Sequence, residues 1–243
     1  MFTSSLAQAE ISGEGSDNLN IFLNWLRNGK IDYLFFSSNV LPRFFDAQDV
    51  HYLPAPSTTD FSNFERQKPF TDVNSIGLIN DNAPHKNILN SLLGISLSNC
   101  LDKLVVNGFD KSHSFFADFI GLGSILDDVG FLQNDTYEDT VSSLKLMVYL
   151  SFSESYCYSV FEAMSLGVPV IVSRAVNWVD VEELIVNNPR DPQEISEKID
   201  YVLSLDESSY LDLSKRCRHN ARRSIQENNE FSRKVLEEVL GER

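Results

Sequence analysis

The sequence is poor in the residues that would mark a disulfide scaffold, a metal centre, a membrane span or a nucleic-acid arm. Cysteine occurs three times in 243 residues, as Cys100, Cys157 and Cys217, an odd number without CxxC spacing. Neither a disulfide framework nor a zinc site follows, and a reducing compartment, the cytoplasm, is the expected location. The four histidines, His51, His85, His113 and His219, show no HxxxH or HExxH spacing, so no metal is expected. Lys and Arg total 20 against 35 Asp and Glu, a net charge of −15. Neutralising nucleic-acid phosphates or lying on anionic lipid calls for the opposite sign, so neither is an expected partner. Apolar runs are short, such as Ile31–Phe36, and fall far below the roughly 18 residues that suggest a bilayer span. Met1–Glu10 lacks the basic and apolar regions of a signal peptide. Neither a GxGxxG after a strand nor a GxxxxGK[ST] loop occurs, which disfavours dinucleotide oxidoreductases and P-loop NTPases.

What is present is the composition of a globular chain, 42% apolar and 23% charged, long enough to bury a core without staples. Leu19–Arg27 has helical spacing and stops at Asn28-Gly29, and Ile31–Ser37 reads as a buried strand. Pro42, Pro54 and Pro56 punctuate a linker that runs to about Lys68. Beyond it the text becomes regular. Strands are expected at Val73–Ile79, Lys103–Gly108, Val129–Leu132, Leu146–Phe152, Pro169–Ser173 and Leu184–Val186. Helices are expected at Asn87–Leu97, Ser112–Ile120, Tyr137–Leu144, Ser159–Leu166 and Val179–Glu183, and at Pro192–Leu203, Ser209–Arg223 and Glu230–Leu240. Apolar strands alternating with amphipathic helices predict an α/β fold, a Rossmann-like parallel sheet with helices on both faces. Ligands of such sheets bind at the carboxyl ends of the strands, so the loops there are where chemistry is sought.

The most informative of these loops lies in LSFSESYCYSVFEAMSLGVPVIVS, residues 150–173. A strand ends near Ser151, Glu154 follows in a loop, and a helix opens near Ser159 with Glu162 in its first turn. Free amides and the positive dipole end at a helix start favour an anion. Two flanking carboxylates would accept hydroxyl hydrogen bonds, so the set suits a ligand with phosphates and sugar hydroxyls together. Two plainer readings stand beside this one. Ser159 and Glu162 have the spacing of a capping box, and Glu154 on its own reads as a solvated loop acid.

Glu154, then seven residues, Glu162-Ala163-Met164, Gly167 and Pro169-Val170 together resemble the signature of retaining GT-B glycosyltransferases of the family 4 type. The resemblance extends from about residue 20 to the end. Asp32–Ser38 resembles the last strand of that family's N-terminal domain, and Val50–Pro54 with Asp60-Phe61 its interdomain linker. Ile76-Gly77 with Lys86-Asn87 resembles the first donor-domain strand and its phosphate lysine. Val129–Leu132 resembles the strand whose following backbone meets the base. The resemblance implies that Glu154 contacts the transferred sugar, Glu162 the ribose and Lys86 the diphosphate. It places Gly77, Leu132, Ser155 and Ser159 around the same donor, and implies transfer without a metal or other cofactor.

The departures from the family pattern are specific. Where the family has Glu-Gly-Phe-Gly, this chain has Glu154-Ser155-Tyr156-Cys157, and Leu78 stands where a phosphate arginine usually follows the strand glycine. A complete GT-B enzyme has two domains of roughly 150–200 residues each. Here residues 1–68 correspond to a remnant of the first and 69–243 to the nucleotide-sugar donor domain. The expected function is hexosyl transfer from a nucleoside-diphosphate sugar with retention of configuration, by this chain or by an assembly of which it is the donor-binding half. The alternative is a non-catalytic module that binds nucleotide sugar or a partner chain. A partner supplying the first domain, or self-association, is expected through Leu19–Phe36 and the final helix. A glycan, lipid or protein acceptor stays open. Cys157 reads as a small buried cysteine, the basic run Lys215–Arg218 with Arg222-Arg223 as a brace for neighbouring acids, and Phe115 and Phe116 as core.

Overall fold

The computed structural model describes residues 14–36, 50–53, 70–154 and 156–241. The expectations placed on 1–13, on the proline-punctuated stretches 37–49 and 54–69, and on Ser155 lie outside them. The chain divides into two compact units. One comprises Met1–Thr59, Ser153–Cys157 and Arg223–Arg243, the other Asp60–Phe152 and Tyr158–Arg222.

In the first unit, helix α1 (Glu14–Arg27) precedes β1 (Leu34–Phe36). Gly29, with a φ of +63°, turns the chain out of the helix. The stretch Val50–Tyr52, expected to be linker, is strand β2 and pairs parallel with β1, Leu34 opposite Val50. Buried Leu34 and Val50 pack with Phe22, Leu23 and Leu26 of α1. The pairing explains the difference from expectation. Val50 has an apolar partner surface that is remote in sequence, and three residues carry too little periodicity to announce a strand.

The second unit is a six-stranded parallel sheet of β3 (Ser75–Leu78), β4 (Lys103–Val106), β5 (Leu126–Asp128), β6 (Leu146–Tyr149), β7 (Val170–Ser173) and β8 (Ile185–Val186). Its order is β5-β4-β3-β6-β7-β8, the doubly wound Rossmann arrangement. Helices α2 (Ile88–Ser96), α3 (Lys111–Phe119), α4 (Asn134–Ser143), α5 (Tyr158–Ser165) and α6 (Pro192–Leu203) accompany it, with residues 207–222 of α7 (Glu207–Gly241), whose remainder belongs to the first unit. Ile76, Leu78, Leu104, Val106, Leu146, Met147, Val148 and Val170–Val172 are all fully buried, which is why these strands read as unbroken apolar runs rather than alternating ones. Each such side chain contributes about 1.5–3 kcal/mol by leaving water. Gly94 lets α2 approach α6 closely, since a Cβ there would lie 2.3 Å from Ile195 Cγ2.

Four expectations need correction. The strand expected at Val129–Leu132 is β5, three residues earlier. It is an edge strand carrying Asp127, paired with Lys103 at 2.7 Å, so it lacks an apolar run. Gly130, at a φ of +67°, follows it in a loop. The helix expected at Val179–Glu183 is a single 3-10 turn at Glu182–Leu184. The two tail helices are one helix of 35 residues, α7. No proline or glycine interrupts 224–240, the i,i+4 pair Arg223–Glu227 reaches into the expected break, and Lys234–Glu230 and Arg233–Glu237 support the helix beyond it. Phe115, expected in the core, is 72% exposed, because the short α3 turns Ala117 inward instead.

Candidate functional site

All six strands are parallel, so their carboxyl ends share one edge, and strand order reverses between β3 and β6. That crevice is the ligand position of doubly wound sheets, and buried polar residues gather around it. Asn80, His85, Lys86, Asn87, Ser151 and Ser173 are each 8% exposed or less.

Lys86 ends a 3-10 turn, Pro84–Lys86, in the connection after β3. Its Nζ donates to the Tyr149 hydroxyl, at the end of β6, at 2.5 Å and lies 5.0 Å from the centre of that ring. The turn is stitched to the loop after β6. The His85 carbonyl accepts from Ser151 Oγ at 3.0 Å and from the Phe152 amide at 2.8 Å. Ser173 Oγ donates in turn to the Ser151 carbonyl. Asn87 takes a left-handed conformation, φ +58°, at the start of α2, and its Nδ2 donates to the Pro189 carbonyl at 2.6 Å. The switch point is thus closed by hydrogen bonds from three strand-end loops, with a cation set among them.

The neighbouring strand ends are tied together as well. Asp128 accepts from the amides of Gly108 at 2.6 Å, Phe109 at 3.1 Å and Gly130 at 3.0 Å. Asn82 donates to the Gly108 carbonyl at 2.9 Å and lies 3.1 Å from His113 Nδ1. Asp110 caps α3 by accepting from the His113 amide. This bond and the Ser112 hydroxyl hold the Asp110 carboxyl below its usual range, the hydroxyl first. Leu132, half-buried, lies in the loop after β5 at this edge.

Glu162 sits in the second turn of α5, which opens at Tyr158. Ser159 therefore lies inside the helix and is not its cap, so the capping-box alternative does not apply. Burial raises the Glu162 carboxyl pKa, the Tyr137 hydroxyl opposes that rise by hydrogen bonding, and the Glu138 charge adds to it. Gly77 lies within β3 and has a packing role, since a Cβ there would meet Leu144 Cδ1 at 2.3 Å. Lys86, Glu162, Ser159, Gly77 and Leu132 all belong to the second unit, and half-buried Glu154 to the first. Cys157, buried, has a φ of +70°, the left-handed conformation for which glycine is favoured.

Tyr149, Ser151 and Asn80 were not singled out from sequence. The signal for Tyr149 was present, a polar tip ending the apolar strand LMVY. It becomes informative once each strand end of a parallel sheet is asked which polar atom it presents.

The sequence profile of the glycosyl transferases group 1 family matches residues 103–224, half of the chain. The chain belongs to this family. No curated protein matches its sequence. Among solved structures, this group 1 chain is similar to Anabaena Alr3699/HepE in complex with UDP and glucose, with a TM-score of 0.74 at 14% identity over 93% of this chain and 67% of that one. It is similar to sucrose-phosphate synthase from Thermosynechococcus elongatus, with a TM-score of 0.69 at 18% identity over 87% and 59%. It is similar also to S. aureus TarM, with a TM-score of 0.64 at 18% identity over 82% and 43%. These likenesses establish the α/β Rossmann-like fold of the GT-B glycosyltransferases. The chain spans only 43% to 63% of the length of the first three structures it matches. No helix among the described residues is long and apolar enough to cross a membrane.

Proposed function

We propose that this chain holds a nucleoside-diphosphate sugar at the β3/β6 crevice and serves hexosyl transfer with retention of configuration, in the manner of family 4 of the GT-B enzymes. The observation that carries the reading is a buried lysine on the turn after β3, hydrogen-bonded to the end of β6 at the switch point. Membership of the group 1 family supports it, as does the UDP and glucose complex of a structure with the same fold.

In this reading Lys86 faces the diphosphate and offsets the negative charge that develops as it leaves. Glu162 accepts from the ribose hydroxyls, Glu154 orients the hexose in reactive geometry, and the Leu132 loop backs the base. Ser159 and, by its place in the signature, Ser155 are assigned to the phosphates, and Gly77 keeps β3 close against Leu144. No cofactor is assigned. Residues 1–68 are read as acceptor-domain sequence and 69–243 as the donor domain, and the acceptor as a glycan, a lipid or a protein. The site is read as facing the cytoplasm, where nucleotide sugars are made.

Calorimetric titration with UDP, GDP and ADP, and then with the glucose conjugate of whichever binds, tests the reading. The sugar conjugate should bind more tightly than the bare nucleotide, and Glu154→Ala should erase that difference while leaving nucleotide affinity in place. An unchanged difference in the variant removes Glu154 from the sugar site.

A further inference from the structure

The connection after β3 holds one amide that the fold leaves unpaired. Asn80 follows β3 by two residues and is 6% exposed, yet neither its Nδ2 nor its Oδ1 has a hydrogen-bond partner. Its backbone is fixed, since its amide donates to Asn107 Oδ1 at 2.8 Å. The other asparagines at this edge are satisfied. Asn82 donates to the Gly108 carbonyl and Asn87 to the Pro189 carbonyl, and Asn107 accepts from Asn80 itself. Buried side-chain amides are nearly always paired, and a lone exception beside a ligand crevice calls for a partner outside the chain.

The chemistry narrows what that partner is. In the strand order seen here β3 is the first strand, and the turn after the first strand is where the diphosphate of a bound nucleotide rests. Leu78, the residue after the strand glycine, is fully buried and apolar and has nothing to offer a phosphate. We propose that Asn80 is a donor-binding residue, its Nδ2 donating to a diphosphate oxygen and its Oδ1 accepting from a hydroxyl of the same nucleotide sugar. The proposal rests on the nucleotide-sugar reading above. Such a ligand carries both acceptors and donors, so it completes both halves of the amide. A neutral amide also adds a phosphate ligand without placing a second cation beside Lys86.

The test compares the parent chain with Asn80→Leu and the smaller Asn80→Ala. It measures the Tm of each free protein and its Kd for UDP, ADP and GDP. An amide that waits for ligand costs the free protein stability, so both variants should match or exceed the parent Tm. For whichever nucleotide the parent binds, Kd should rise about tenfold or more, as expected on losing a hydrogen bond to a charged group. An amide satisfied by an internal water gives the opposite pattern, a lower Tm in both variants with Kd within about twofold of the parent, and that result overturns the proposal. A rise confined to one base when the parent binds several overturns the diphosphate assignment. A parent that binds none of the three fails the nucleotide-sugar reading and this proposal together, and that failure shows in the parent alone.

Discussion

Two buried lysines stand at opposite ends of the same sheet, and they are held differently. Lys145, at the amino end beside β6, donates to Asn74 Oδ1 at 2.9 Å and to the Leu203 carbonyl at 3.2 Å, with its Nζ 5.1 Å from the Phe70 ring centre. Its own amide donates to Ser75 and its carbonyl accepts from the fully buried Tyr210 hydroxyl at 2.8 Å. Burial lowers its pKa, and Asp72 and Asp102 oppose the shift. That cation is spent on joining β3, β6 and the end of α6. Lys86, at the carboxyl end, meets the hydroxyl of Tyr149, and an unsatisfied amide lies in the same connection. The same residue type is a structural brace at one end of the strands and, in the function proposed above, an anion ligand at the other. The direction of the strands decides which, because ligands enter at their carboxyl ends.

The largest effect that sharpens this contrast belongs to the brace. Lys145→Met should leave Asn74 Oδ1 and the Leu203 carbonyl without a donor and lower unfolding stability by about 2–3 kcal/mol. Urea titration reads this, with nucleotide affinity of the folded variant unchanged. A loss of nucleotide affinity in folded Lys145→Met would blur the two ends.

Strain comes next. Cys157 occupies a left-handed backbone position immediately ahead of α5, where an L side chain costs about 1–2 kcal/mol. Cys157→Gly should therefore stay within about 1 kcal/mol of the parent in denaturant titration, the relief offsetting the lost side chain. Cys157→Val, β-branched, should lose about 2 kcal/mol.

The smallest effect concerns pH. The Glu162 pKa is raised, so the folded chain binds that proton more tightly than the unfolded chain. The stability this confers is present in full below the ordinary glutamate range and is lost as pH rises through the raised value. Glu162→Gln should thus be more stable than the parent at neutral pH, with the gap closing in acid, as Tm across a pH series reads. If Glu162 accepts from the ribose, the same variant should bind nucleotide more weakly at neutral pH.

The parallel sheet was legible because its strands are buried on both faces, and runs such as LMVY and VIVS carry that fact locally. The Glu154 to Val170 signature was legible because its spacing is contiguous in the chain. Elements whose reasons lie elsewhere were not legible. Val50–Tyr52 is a strand only because Leu34–Phe36 lies beside it, and β5 is an edge strand with charges where apolar residues were sought. The pairing of Lys86 with Tyr149 joins residues 63 positions apart, and the isolation of Asn80 is a property of its surroundings that no local pattern encodes.

The central claim is that the carboxyl end, and not the amino end, holds a nucleoside diphosphate. Thermal unfolding with UDP, GDP and ADP tests it most directly in the parent, Lys86→Met and Lys145→Met, because a ligand of the native state raises Tm by mass action. The account predicts a shift with at least one nucleotide that is lost in Lys86→Met and kept in Lys145→Met. A shift that survives in Lys86→Met, or none with any nucleotide, would contradict it.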